Sequence, residues 1–345
     1  MRVLLSMAKI VKLSKYVKIT VVTLLIMAVG KVLMYAYSEY ESDHEFFKKF
    51  NEKYNVFALL MPDDVKFADE EVPFDDPEIL ERFDRELLSN TYFQSQSLLY
   101  FKRANRYFPS IERILDRYNL PDDIKFIALI ESGLTNAVSP AGAAGPWQLM
   151  KETAIKYGLE VNDEIDERYH LEKSTEAACK YLLDAKKMFG SWTLAAAAYN
   201  MGQGGIARQL SRQKVSNYFD LQLNQETSRY VFRILAVKEI YNNPRKYGFN
   251  FRKKDLYQPI PVNYVTVDST VNSWVDFAEH YGITYKILRY HNPWIRDLKL
   301  TNPNGKKYRI AIPKKGYYHI MSDIKGVVPD FNDEMENSTE HSTVE

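Results

Sequence analysis

Between residues 106 and 250, hydrophobic positions recur with a helical period, and glycines and prolines separate the segments without an alternating strand pattern. One segment is LPDDIKFIALIES (120–132), in which Pro121 followed by two aspartates is typical of a helix start. Four of its residues fall at i, i+3, i+4 and i+7 and form one stripe: Ile124, Ile127, Ala128 and Glu131. The pattern predicts a buried central helix that carries a carboxylate on its apolar side.

Glu131 is the first candidate for chemistry, because a carboxylate on an apolar stripe loses much of its hydration. Desolvation disfavours the charged form and raises the pKa of the carboxyl group. A carboxyl group that stays protonated near neutral pH serves as a general acid. A second interpretation stays open: Glu131 marks the helix end before Gly133, and is solvated or paired with Lys125 or Arg168.

The stretch SPAGAAGPWQLM (139–150) combines small residues with larger ones. Its glycines and alanines allow close backbone approach and leave room beside the acid. Trp147 offers a flat apolar surface of the kind that packs on a sugar ring, Gln148 a hydrogen-bonding amide and Met150 an apolar wall. The alternative is a loop followed by a helix that starts near Pro146, with Trp147 and Met150 in the core.

A third stretch, SWTLAAAAYNMGQGG (191–205), predicts a helix capped by Ser191, with alanines that permit close helix packing. Tyr199 and Asn200 fall where this helix gives way to glycines, so both side chains are candidates for the same cleft as Glu131. The alternative is an ordinary core tyrosine and a helix-terminal asparagine.

Residues 262–314 have a different pattern. YVTV (264–267) and KYRIAIP (307–313) are typical of strands, and two helical stretches lie between them, which predicts a small β-α-α-β domain. The tail at 315–345 becomes acidic and rich in Ser and Thr, and is expected to be disordered.

The N-terminal residues 1–38 predict a signal peptide or a membrane anchor, because five cations precede the apolar run at 19–30. The rest of the chain is then exported. A buried core helix is the alternative for the apolar run. Residues 39–105 are charged and helix-prone, with three prolines, and are interpreted as a helical lead-in or linker.

Composition narrows the classes of function. A length of 345 residues holds two or three domains, and a net charge of +1 gives no argument for nucleic-acid binding. The single cysteine excludes an intrachain disulfide, and the six histidines lack metal-ligand spacing, so no metal or other cofactor is expected.

Together these residues resemble the catalytic domain of the lytic transglycosylases, the lysozyme-like family that cleaves the glycan strands of peptidoglycan. Four blocks carry the resemblance, in the family's order: IES (130–132), SPAGAAGPWQLM (139–150), AAYN with Gly202 (197–202) and ETSRYVFRILAVKEIY (226–241). The long lead-in and the C-terminal domain are most similar to the membrane-bound D type. The resemblance implies a mainly α fold, with a lysozyme-like catalytic domain at 106–250.

By this resemblance Glu131 is the catalytic acid and base that cleaves the bond between N-acetylmuramic acid and N-acetylglucosamine, leaving 1,6-anhydro ends. Six residues match substrate-binding positions of the family: Ser139, Gln148, Met150, Tyr199, Asn200 and Tyr230. The segment 262–314 resembles a LysM module, which implies binding of peptidoglycan glycan. Two alternatives stay open: a goose-type muramidase on the same fold, and a non-catalytic wall-binding protein.

Overall fold

The computed structural model describes residues 56–318 and, in the N-terminal apolar segment, the helical residues 22–23, 25–27 and 29–31. Most of the predicted export segment, the first part of the lead-in and the tail from 319 lie outside the described residues. No helix within the described part of the chain is long and apolar enough to cross a membrane.

From residue 56 to residue 318 the chain forms ten α-helices and two small antiparallel ribbons. The helices are α1 (Pro77–Tyr92), α2 (Gln94–Arg117), α3 (Lys125–Ser132), α4 (Lys151–Lys156), α5 (Leu171–Phe189), α6 (Trp192–Met201), α7 (Gln203–Gln213), α8 (Gln225–Asn242), α9 (Trp274–His280) and α10 (Tyr285–His291). The strands are β1 (Lys66–Phe67), β2 (Glu70–Glu71), β3 (Val262–Val267) and β4 (Tyr308–Pro313).

Helix α3 lies at the centre of the helical domain, as its apolar pattern predicts. A short 3₁₀ turn, Asp122–Ile124, leads into it, and its residues from Lys125 to Ile130 are all buried. It packs between α2 and α8. The helix ends at Gly133, whose φ of 60° is left-handed and suits a residue without a side chain.

The lead-in contributes to the same hydrophobic core. Phe67 of β1 and Phe83 and Leu87 of α1 are fully buried against the helices that follow. Burial of each such side chain stabilises the fold by about 1.5–3 kcal/mol. Helix α2 runs continuously through residues 105 and 106, where the sequence suggested that the catalytic domain begins.

The C-terminal part has the predicted β-α-α-β order. Strand β3 pairs with β4 in antiparallel register, from Val262 opposite Pro313 to Val267 opposite Tyr308. Ser273 and Thr284 cap α9 and α10 by accepting backbone N–H bonds.

This module and the helical domain share a second hydrophobic core. Ala144, Ile165 and Tyr169 of the helical domain are buried together with Trp294 and Ile295 of the module. Backbone hydrogen bonds reinforce the contact: the Asp166 N–H donates to the Trp294 carbonyl at 2.9 Å, and the Arg296 N–H to the Glu164 carbonyl at 2.8 Å. The module is therefore packed directly on the segment around residues 160–169.

Candidate active site

Glu131 is the second-last residue of α3, where its side chain is half-buried. The Tyr230 hydroxyl donates a hydrogen bond to Glu131 Oε1 at 2.5 Å. Burial raises the pKa of Glu131 to about 7, and the negative charge of Glu226 acts in the same direction. The Tyr230 hydrogen bond and the positive charge of Arg233 oppose this rise. The carboxyl group is therefore protonated in a large fraction of molecules at neutral pH, as a general acid requires.

Two tyrosines accompany this carboxyl group. Tyr230 projects from α8, and Tyr199 from α6 donates its hydroxyl hydrogen to the Trp147 carbonyl at 2.7 Å. Burial and the charge of Glu131 raise the pKa of both phenols well above the usual range. Both hydroxyls therefore stay protonated and act as hydrogen-bond donors over the whole physiological range.

Asn200 follows Tyr199 and is oriented by the first turn of α8. Its Nδ2 donates to Glu226 Oε1 at 2.8 Å, and the Thr227 hydroxyl donates to its Oδ1 at 2.7 Å. Both the nitrogen and the oxygen of the side-chain amide thus have a hydrogen-bond partner, and these bonds hold the side chain in one orientation. This arrangement places a fixed amide dipole on α6 beside the carboxylate of Glu226.

The loop at 139–150 is folded by its own polar side chains. Ser139 Oγ accepts the Ala143 N–H at 3.0 Å, which closes the turn that contains Gly142. Gln148 has a φ of 48°, and its Nε2 donates to the carbonyls of Ala137 and Gly145, each at 2.9 Å. Ser139 and Gln148 therefore shape the loop itself.

The loop is also fastened to the end of α3. The Ser132 hydroxyl, next to Glu131, donates to the Pro146 carbonyl at 2.8 Å. At Gly145 the backbone passes so close to the next segment that an added Cβ would lie 1.9 Å from the Arg168 carbonyl oxygen. These contacts fix the distance between the carboxylate and the loop.

Trp147 does not present a sugar-binding surface. Its ring is fully buried, and its indole N–H donates to Thr175 Oγ1 at 2.8 Å. The alternative interpretation as a core residue is confirmed for Trp147. The same interpretation is wrong for Met150, whose side chain is 40% exposed. The expected helix start near Pro146 is also wrong, because the helix begins at Lys151.

The basic partners considered for Glu131 are occupied elsewhere. Lys125 binds Asp122 at 2.5 Å and Glu112 at 2.7 Å, and Arg168 binds Asp166 at 2.7 Å. The interpretation of Glu131 as the partner of either base is therefore wrong. Without such a pair, burial dominates the pKa of the carboxyl group.

Sequence reasoning missed two charged neighbours of the acid, Glu226 and Arg233. A usable signal was present, because Glu226 and Arg233 lie four residues before and three residues after Tyr230 on α8. Such spacings place side chains on one helix face. No cluster of three or more His, Cys, Asp or Glu residues suited to a metal occurs in the described part of the chain.

The fold and site define a mainly helical domain with a desolvated carboxylic acid at a helix end, joined to a small β-α-α-β module. Residues 109–221 match the transglycosylase SLT domain family, and residues 263–316 match the soluble lytic transglycosylase C-terminal LysM-like domain. The chain thus carries an SLT transglycosylase domain followed by a LysM-like domain.

Relatives agree with this assignment. The chain is 29% identical over 243 residues to the membrane-bound lytic murein transglycosylase D of Escherichia coli K12, covering 69% of this chain and 52% of the relative. The same protein from strain CFT073 gives the same values. The chain is a distant homologue of that protein and spans about half the length of the curated relatives it matches.

Solved structures give a weaker likeness. The 70 kDa soluble lytic transglycosylase of Escherichia coli aligns with a TM-score of 0.35 and 21% identity, over 44% of this chain and 27% of that one. The lytic transglycosylase Slt of Pseudomonas aeruginosa, solved as an inactive mutant, aligns with a TM-score of 0.32 and 22% identity, over 44% of this chain and 26% of that one.

Proposed function

We propose that this protein is a peptidoglycan lytic transglycosylase that cleaves the β-1,4 bond from N-acetylmuramic acid to N-acetylglucosamine and leaves 1,6-anhydro-N-acetylmuramic acid ends. One observation carries the proposal: the half-buried Glu131 carboxyl group, with a pKa of about 7, is hydrogen-bonded to Tyr230 beside the loop at 139–150. The family matches supply the substrate class.

In the first step the protonated Glu131 carboxyl group donates its proton to the glycosidic oxygen. The bond from muramic C1 to that oxygen breaks, and its electron pair leaves with the N-acetylglucosamine unit. Positive charge develops at C1, as in other glycoside cleavages. Glu131 is now a carboxylate, and the Tyr230 hydroxyl stabilises this charged form by its hydrogen bond.

In the second step the C6 hydroxyl of the same muramic unit attacks C1, and Glu131 takes the hydroxyl proton. The anhydro ring closes, no water is consumed, and Glu131 returns to its protonated form. One carboxyl group therefore serves as acid and then as base, and a pKa near neutrality suits both roles.

The remaining candidate residues hold the substrate. Tyr199 and Asn200 lie at the end of α6, and we assign to them the orientation of the sugar beside Glu131. Met150, exposed just before α4, supplies an apolar contact. Ser139 and Gln148 fold the loop that contacts the substrate. We assign their remaining hydrogen-bonding capacity to the substrate.

Hydrolysis is the competing reaction on this site. A goose-type muramidase would activate water with a second carboxylate, and Glu226 is the exposed carboxylate whose charge reaches Glu131. Its oxygen is engaged by Asn200, which favours a structural role. A non-catalytic wall-binding protein would have no need of a desolvated acid with a matched donor.

Glycan strands of peptidoglycan are the proposed partner, and the LysM-like module is the proposed second point of attachment. The proposed location is the periplasmic side of a bacterial cell envelope, with residues 1–38 as export signal or anchor. Nucleic acid is not a proposed partner, given the net charge of +1.

Mass spectrometry of the products from purified peptidoglycan tests the reaction. The wild type is expected to release anhydromuropeptides, and Glu131→Gln, which keeps the shape of the side chain but removes its proton donor, is expected to release none. Muropeptides with ordinary reducing ends would assign the protein to the hydrolases. Products from Glu131→Gln would place the acid elsewhere.

A further inference from the structure

A cavity of about 650 Å³ lies between the helical domain and the LysM-like module. Asn136, Val138 and Tyr169 line it from the helical domain, and residues of α10 and the segment after it line it from the module. Its volume is in the range of pockets that take small organic ligands. The site around Glu131 does not include these residues.

All of the charged side chains that line this cavity are positive. Three cations line it, Lys286, Arg289 and Arg296, and no aspartate or glutamate does. None of the three forms an ion pair with a carboxylate in the described part of the chain. The whole chain has a net charge of only +1, so the excess of cations at this cavity does not reflect a generally basic protein.

Arg289 is the cation with unused hydrogen-bonding capacity. Its Nη1 donates to the Tyr285 hydroxyl at 2.8 Å, whereas its Nε is buried and has no hydrogen-bond partner within the described residues. The Nε is closed off from solvent and therefore from a ligand as well, so the other N–H groups of the guanidinium would bind a carboxylate. Lys286, one turn earlier, is exposed.

Aromatic side chains supply the apolar part of the cavity. Tyr290 and Tyr317 line it with exposed rings, at 53% and 45%. Arg296 lies over the Tyr169 ring, with its guanidinium carbon 4.4 Å from the ring centroid. Cations held beside aromatic rings suit a ligand that carries both carboxylates and apolar groups.

Residues that line the cavity adjoin residues of the proposed site in the sequence. Asn136 and Val138 lie four and six residues after Ser132, the last residue of α3, and Val138 directly precedes Ser139. The segment 136–139 therefore joins the wall of the cavity to the loop at 139–150.

We propose that this cavity binds the acidic peptide substituent that N-acetylmuramic acid carries in peptidoglycan, with Lys286 and Arg289 bound to its carboxylates. The identity of the ligand rests on the proposed function, because that function brings a peptide-bearing glycan to Glu131. The cavity makes the enzyme prefer strands that retain their peptides, and the LysM-like module thereby contributes to substrate selection.

Calorimetric titration with a defined probe tests the binding separately from catalysis. The probe is N-acetylmuramyl-L-alanyl-D-glutamate, and its fully amidated form is the ligand control. The protein is the full chain with Glu131→Gln, so that turnover plays no part. Binding of the acidic probe is expected, with about tenfold weaker binding when Lys286→Gln or Arg289→Gln is added. Lys299→Gln, at an exposed lysine of the module outside the cavity, is the matched control and is expected to bind as before.

Several results would overturn the proposal. Equal binding of the acidic and amidated probes would exclude carboxylate recognition, and an equal effect of Lys299→Gln would exclude this cavity. Lys286 is exposed, so its replacement leaves the fold intact even if Arg289→Gln does not. Tighter binding after the acids of residues 330–336 are changed to amides would assign the cavity to the chain's own tail. The proposed function fails by a different result, the absence of anhydromuropeptides when the wild type acts on intact, peptide-bearing peptidoglycan.

Discussion

The Tyr230 hydroxyl donates a hydrogen bond to Glu131 Oε1 across 2.5 Å, and this contact joins α8 to the end of α3. It is stronger to the carboxylate than to the carboxylic acid, so it limits the rise in the pKa of Glu131 that burial causes. The pair therefore sets the pH range in which the Glu131 carboxyl group is protonated.

Tyr230→Phe is expected to raise the pKa of Glu131 above about 7, because the donor that favours the carboxylate is lost. The alkaline limb of kcat/KM moves to higher pH, and the maximum rate falls since the carboxylate formed in the first step loses a partner. A pH-rate profile measures both effects. Tyr241→Phe, on the same helix but packed in the core against Phe101 and Phe126, is expected to leave the profile unchanged. An unshifted limb in Tyr230→Phe would contradict the proposed role of the hydroxyl.

Glu131 is expected to lower stability as pH rises. Its folded pKa of about 7 exceeds the value of 4.5 for an unperturbed glutamate, so the folded state holds more protons between these two values. The free energy of unfolding therefore falls across this window, by up to about 3 kcal/mol. Glu131→Gln removes this loss, and denaturant unfolding at pH 5 and pH 8 should show a flatter dependence than in the wild type. Glu279→Gln, at an exposed position, should keep the wild-type slope.

Two glycines of the loop at 139–150 are expected to differ in their tolerance of a side chain. Both have left-handed φ, 79° at Gly145 and 86° at Gly142. An added Cβ meets the Arg168 carbonyl oxygen at Gly145 and nothing within 4 Å at Gly142. Gly142→Ala therefore costs about 1 kcal/mol from backbone strain alone, and Gly145→Ala about 2–4 kcal/mol. Thermal unfolding of the two variants compares these losses, and equal losses would mean that the close approach is relieved without cost.

Removal of residues 262–345 is expected to affect the helical domain as well as binding to the cell wall. Ile165 and Tyr169 would become exposed to solvent, and the loss of this buried apolar surface is expected to lower the free energy of unfolding by about 2–5 kcal/mol. Cleavage of short glycans, assayed beside thermal unfolding, should fall together with stability. The reason is that Arg168, in the segment that the module covers, also contacts the loop at 139–150. A truncated protein with unchanged melting temperature would show that the shared core is not required.

The helical pattern was sufficient for the elements that depend on local sequence. The position of Glu131 on the apolar stripe of α3 and the cap at Ser191 both follow from spacings within one helix. The β-α-α-β order of the C-terminal domain also agrees with the strand and helix patterns. The domain boundaries and the roles of the site residues stay predictions.

Tertiary contacts account for what the sequence did not predict. Asp166 and Glu167 lie in a polar stretch of the sequence, yet both are buried, because Arg168 and Lys173 pair with them and the module covers the segment. The burial of Trp147 depends on Thr175, 28 residues away. No pattern within either segment contains this information.

The core shared by Ala144, Ile165 and Trp294 also determines which parts of this protein are interchangeable. A LysM-like domain taken from another protein and joined at residue 262 would meet a surface shaped for Trp294 and Ile295, and would leave it poorly filled. The unit suitable for exchange therefore comprises the C-terminal module together with the segment 160–169. In a family of such chains, substitutions at these two places are expected to occur in compensating pairs.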